Sequence, residues 1–140
     1  MPKMGFGIIG AGVWGETHAM TYSAHPDAEL VMVCDLDAER ARTIAENYNA
    51  REWTTDYENL LARDDIQAVS IVTPDFAHRE IAVAAAQAGK HILVEKPLAT
   101  TIEDCEAIIN AAKQANVKLM VDFHNRFNPP HIRVKEALDE

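Results

Sequence analysis

Apolar and polar positions along this chain fall into blocks. Five short runs, MGFGIIG (4–10), AELVMVCD (28–35), AVSIVT (68–73), HILVE (91–95) and VKLMVD (117–122), are rich in valine and isoleucine and apolar at consecutive positions. Strands of that kind are covered on both faces, because a strand with one wet face alternates apolar and polar residues. REWTT (51–55) is a weaker sixth candidate. Between the runs lie helical patterns at 13–24, 37–48, 56–63, 76–88 and 102–115. Acidic residues open 37–48, which suits the positive end of a helix dipole. Asp56 opens 56–63, Asp75 takes the N-cap position of 76–88, and Gly89 follows that helix. Thr101 precedes 102–115 with Asp104 three residues on, a weak capping-box pattern. Strands this apolar, alternating with helices, predict an α/β fold built on a doubly wound parallel sheet.

The pattern changes after Asp122. FHNRFNPPHIRVKEALDE reads as a loop, two prolines suited to a helix N-terminus, and the start of a helix. We therefore expect one domain over 1–122, and over 123–140 a linker with the start of a second domain.

Composition narrows the class only slightly. The 140 residues are enough for one core, and 48% hydrophobic with 25% charged is an ordinary soluble mix. A net charge of −9, from 13 basic and 22 acidic residues, argues against a nucleic-acid or anionic-membrane partner. No apolar run approaches the ~20 residues that span a bilayer, and MPKMGFGIIGAG reads as a strand rather than a signal peptide. Cys34 and Cys105 lack a CxxC pairing, which reads as two free thiols in a reducing cytoplasm.

GFGIIGAGVWGETHAM carries a GxGxxG, Gly10, Gly12 and Gly15, between a predicted strand and a predicted helix. Asp35 ends the next strand 20 positions after Gly15 (35 − 15). Each residue has a physical task in dinucleotide binding. Gly10 permits the tight turn, Gly12 lets the backbone approach a pyrophosphate, and Gly15 lets helix and strand pack closely. The helix N-terminus offers free N–H groups and partial positive charge to the phosphates. Val13 and Trp14, inside the loop, are further candidate cofactor contacts. The Asp35 carboxylate accepts from ribose hydroxyls and repels a 2′-phosphate, so NAD is expected over NADP, and Asp37 adds to that repulsion. This makes the sheet a Rossmann-type NAD(P)-binding domain. From the motif alone, a methyltransferase binding S-adenosylmethionine is the chemical rival.

In HILVEKPLATT, Lys96 stands at the carboxyl end of a strand, where ligands bind in open α/β sheets. Partial burial and a cationic nicotinamide ring both disfavour an ammonium, which would let Lys96 accept a substrate hydroxyl proton. Pro97 restricts the backbone, and a cis bond before it would aim the lysine.

VEKPLATT after AAQAGKHIL, with GIIGAGVWG and VTPDFAH, resembles the glucose–fructose oxidoreductase / inositol dehydrogenase / MocA family of dehydrogenases. The resemblance runs from about residue 4 to the end of the chain, and NRFNP (125–129) is similar to the segment by which that family leaves its nucleotide domain. It implies NAD(P)-dependent hydride transfer at a CH–OH group of a sugar, inositol or related polyol, with Lys96 as the catalytic or substrate-hydroxyl residue. It also implies a second domain beyond these residues, carrying most of the substrate pocket, an Asp-to-His pair and usually the oligomer interface. The competing class is a stand-alone, non-catalytic NAD(H)-binding or sensor module.

In that family the turn holding Thr73, Pro74 and His78 runs beside the nicotinamide and its ribose, so all three are candidate cofactor contacts, with His78 also a candidate for facing substrate. Glu95 is a candidate for orienting Lys96 or binding cofactor ribose. Arg126 and Asn128 are candidates for the pocket lining of a whole protein. Asp122, His124 and His131 lack the spacing and the fourth ligand of a metal centre, so no metal is expected.

Overall fold

The computed structural model describes residues 2–140. Six strands, β1 (Met4–Ile9), β2 (Ala28–Cys34), β3 (Glu52–Thr54), β4 (Ala68–Ile71), β5 (His91–Glu95) and β6 (Leu119–Asp122), form one sheet in the order β3-β2-β1-β4-β5-β6. Every pairing is parallel. The helices are α1 (Val13–Ala24), α2 (Ala38–Asn47), α3 (Tyr57–Leu61), α4 (His78–Gln87), α5 (Ile102–Gln114) and α6 (Pro129–Asp139).

This is the doubly wound order, whose direction of winding reverses between β1 and β4. Both faces of the sheet are buried because both are apolar. Ile8 and Ile9 are adjacent and point to opposite sides. Ile8 packs with Ala19, Val33 and Ile44 under α1 and α2, while Ile9 packs with Leu60, Ile81, Ala85 and Ile108 under α3, α4 and α5. The weak candidate at 51–55 is strand β3, paired to β2 through Met32↔Glu52 to Cys34↔Thr54.

Local caps agree with the sequence at three helices and differ at one. Asp37 accepts from the backbone N–H of Glu39 and of Arg40, Asp56 from that of Glu58, and Thr101 from that of Asp104. Asp75 does not cap α4. Its carboxylate accepts from the adjacent Phe76 N–H, a 3-10 turn over Asp75–Ala77 intervenes, and α4 begins at His78 with no side-chain cap. Gly89, at φ 73°, ends the turn after α4 as expected.

The two ends of the sheet differ. β6 is an edge strand without a fully buried residue, and α6 is exposed along its length, with Val134 and Leu138 open to solvent. No helix among the described residues is long and apolar enough to cross a membrane.

Candidate functional site

The loop after β1 is shaped by its glycines for three different reasons. Gly10 has φ +104°, and a Cβ there would lie 2.5 Å from the Val72 carbonyl oxygen, so only glycine lets β1 leave beside the end of β4. Gly15 is buried where α1 crosses the loop, and a Cβ there would meet the Gly10 carbonyl oxygen at 2.0 Å. Gly12 has ordinary extended backbone and no protein atom within 4 Å of a built Cβ. The fold itself does not require glycine at 12. The open space beside it suits a group that approaches the backbone from outside, as a pyrophosphate does at this motif.

Asp35 stands just past β2, its side chain 13% exposed. Its carboxylate accepts from Ala11 N–H at 2.7 Å and from Asp37 N–H at 2.9 Å, so it ties the glycine loop to the end of β2. Each oxygen keeps a lone pair for a ribose hydroxyl. Arg40 bridges the two acids, 3.8 Å from Asp35 and 3.5 Å from Asp37. Sequence reading did not single out this arginine. Its signal was the helical spacing of three residues from the capping Asp37, which turns it back over the acid it follows. Next to Asp35, Cys34 is pushed up to about 12, mainly by burial and further by the Asp35 and Asp56 carboxylates.

Gly10, Gly12, Val13, Trp14, Asp35, Thr73 and Pro74 all line one groove of about 540 Å³, together with Arg40 and Val72. It lies beyond the carboxyl ends of β1, β2 and β4, at the switch point. The Thr73 hydroxyl oxygen is buried without a hydrogen-bond partner. An orphaned hydroxyl and an unfilled space at Gly12, set beside a carboxylate, fit a dinucleotide at this groove.

Three predicted contacts lie elsewhere. His78 is 1% exposed, and its ring is enclosed between two carbonyls, with Nδ1 3.0 Å from Pro97 O and Nε2 2.9 Å from Thr73 O. It does not line the switch-point groove, and neither ring nitrogen is free. It buckles the turn after β4 to the turn after β5, because burial leaves its polar atoms no water to bond. Glu95 is 6% exposed, does not line the groove, and faces His18 of α1. One of its oxygens accepts from the Lys96 backbone N–H at 3.2 Å. Lys96 is exposed, so the partial burial expected of it is not present in this chain. It lines a separate hollow of about 240 Å³ with Asp122, His124 and Arg126. The Lys96–Pro97 bond is cis.

Trp14 connects the two regions. Its indole is tilted against the His124 ring, 5.1 Å between centroids. Beneath them lies a group that sequence reading missed. His18 Nε2 is 3.4 Å from Glu95 Oε1 and 3.4 Å from Asp122 Oδ2. Asp122 was weighed only with His124 and His131, which are near it in sequence. Its partners come instead from α1 and β5.

The sequence profile of a family described as "Oxidoreductase family, NAD-binding Rossmann fold" matches residues 4–123. The chain is 35% identical to levoglucosan dehydrogenase of Pseudarthrobacter phenanthrenivorans, over 100% of this chain and 38% of that protein. It is 38% identical to inositol 2-dehydrogenase of Rhizobium meliloti, over 96% of this chain and 40% of that one. Among solved structures it is similar to GenD2 from gentamicin A biosynthesis in complex with NAD, with a TM-score of 0.93, 30% identity, and 98% and 39% of the two chains covered. The chain thus spans about two fifths of the length of these relatives.

Proposed function

The chain belongs to the oxidoreductase family with the NAD-binding Rossmann fold, and from that premise we propose that it is the cofactor half of a dehydrogenase acting on a CH–OH group of a sugar, inositol or related polyol. The observation that carries the reading is the switch-point groove, where Gly12 leaves open space and Asp35 keeps acceptor capacity. In this reading Gly10, Gly12, Val13 and Trp14 line the phosphate side, Asp35 takes the ribose hydroxyls, and Thr73 and Pro74 flank the nicotinamide end. A nicotinamide dinucleotide, when bound, supplies the hydride chemistry.

The chain's own contribution to the reaction is Lys96. Exposed at the carboxyl end of β5, it is placed to bind the reacting hydroxyl and to hold or accept its proton. Arg126, in the same hollow, is a candidate to orient the polyol. Asn128 caps the exposed helix α6 without a side-chain bond, and we assign it to the same lining. Residues 123–140 lead toward a second domain of the kind the relatives' extra length allows, which supplies the rest of the pocket. A cytoplasmic setting and a homo-oligomer of the whole protein complete the reading.

A fluorescence titration of this chain with NADH and NADPH, repeated with Asp35→Ala, tests it. NADH binding that weakens in the variant supports the assignment. A folded chain that binds neither dinucleotide, or that binds S-adenosylmethionine instead, overturns it.

A further inference from the structure

We infer that His18, Glu95 and Asp122 form a binding site for a divalent transition-metal ion, Zn²⁺ by donor set, which fastens α1 to the ends of β5 and β6. A buried carboxylate, Glu95, a partly buried one, Asp122, and a buried imidazole share one small space, and the donor atoms all lie within 4.8 Å of one another. Glu95 Oε1 is buried without a hydrogen-bond partner and faces His18 Nε2. A buried carboxylate oxygen left in that state is costly unless something cationic meets it.

The distances favour a metal over a direct hydrogen bond. Both separations from His18 Nε2 are 3.4 Å, longer than the roughly 2.7–3.2 Å of an N–H···O bond. With metal–ligand bonds of about 2.1 Å and tetrahedral angles, neighbouring donors stand about 3.4 Å apart (2 × 2.1 × sin 54.7°). Charge favours it as well. Two carboxylate side chains face one imidazole in the cluster, a donor set that a divalent cation can bridge. Among the described residues no lysine or arginine forms an ion pair with Glu95 or Asp122.

The surroundings match those of a ligating histidine. His18 Nδ1 lies 3.0 Å from the hydroxyl of Ser70, a fully buried residue, and that hydroxyl lies 2.5 Å from the Tyr22 oxygen. In the tautomer whose Nδ1–H donates to Ser70, the Nε2 lone pair faces the carboxylates, as it does at a metal site with an outer-shell partner. A cavity of about 310 Å³, lined by Trp14, His18, Tyr22, Asp122 and His124, opens beside the cluster and gives a water access to the fourth position. His124, on the same cavity wall, carries a buried, unpartnered nitrogen, Nδ1. The site lies behind Lys96, whose backbone N–H donates to the other Glu95 oxygen, so an ion there would brace the strand end that presents the lysine. The site does not depend on dinucleotide binding.

The test is a titration of the chelator-treated, untagged full chain with Co²⁺, read by visible absorption, followed by displacement with Zn²⁺. The expected result is saturation at one ion per chain, bleaching by Zn²⁺, and a rise in the melting temperature. Asp122→Asn keeps shape at the least buried ligand, so its fold should survive, and Co²⁺ affinity should fall by more than tenfold. Ser70→Ala should weaken it by roughly 10–100-fold. The proposal is overturned if the folded chain shows no saturable band, if Asp122→Asn leaves binding unchanged, or if excess Zn²⁺ leaves the His18 ring resonances unmoved by NMR.

Discussion

The loop after β1 and the lip after β5 lie at the same edge of one sheet and are built to different degrees. The loop is over-determined. Gly10 and Gly15 are demanded by backbone contacts within the chain, and Asp35 is bonded into it through Ala11. The lip is open. Lys96 is exposed, β6 beside it has no fully buried residue, and Phe123 and Phe127 beyond it are exposed. A site that holds a cofactor is completed by local chain geometry. On the proposed reading, the substrate side depends on surface outside these residues. The comparison also explains why part of the lip is nonetheless well anchored. His78 and Glu95, candidates for ligand contact, fasten the lip through contacts to the Pro97 carbonyl and the Lys96 N–H.

The sharpest way to break the contrast is at the glycines. Gly15→Ala places a Cβ 2.0 Å from a backbone oxygen, and we expect a loss of about 3 kcal/mol in urea unfolding. Gly12→Ala meets no protein atom, so its stability should stay within ~0.5 kcal/mol while NADH affinity falls by about tenfold or more, roughly 1.4 kcal/mol. Equal destabilisation by both would refute the distinction drawn between them.

Lys96→Met probes the other region. In a whole protein carrying the proposed substrate domain, turnover should drop by about 10²–10⁴, while NADH binding and the melting temperature of this chain stay unchanged, because the side chain is exposed. A large loss of NADH affinity would mean the two regions are not separable.

Asp35→Ala should cost NADH binding about 1.5–3 kcal/mol, the worth of hydrogen bonds to a charged group. Arg40→Ala should act more gently, by about 0.5–1 kcal/mol, and on NADPH more than NADH, since a half-exposed arginine beside two acids offsets their repulsion of a 2′-phosphate. Isothermal titration of each variant with both dinucleotides measures these terms.

A further effect is in pH. Cys34 is pushed from its ordinary 9.0 up to about 12 in the folded chain. The unfolded chain therefore releases this proton first, so stability present below pH 9.0 should decline as pH rises toward about 12. Cys34→Ala should flatten that part of the profile in urea melts across the same range.

Much of this molecule was legible from the order of its residues. The stretches at 30–34 and 92–94 are apolar at consecutive positions, and that points to cover on both faces and hence a doubly wound sheet. The glycine spacing and the acid 20 positions on are local or nearly so, and they encode a turn whose physics needs only a few neighbouring atoms. What lay beyond sequence were contacts that cross the sheet. His78, read as a helix-start residue open to ligand, is enclosed by the carbonyls of Thr73 and Pro97, 19 residues away at the farther one. Asp122 finds His18 across more than a hundred positions, because parallel strands and their helices bring distant carboxyl ends to one edge. Local pattern decided which elements form and where phosphate can approach. Only the packed sheet decided which polar side chains are shut away, because burial belongs to neighbours that the chain supplies from far off.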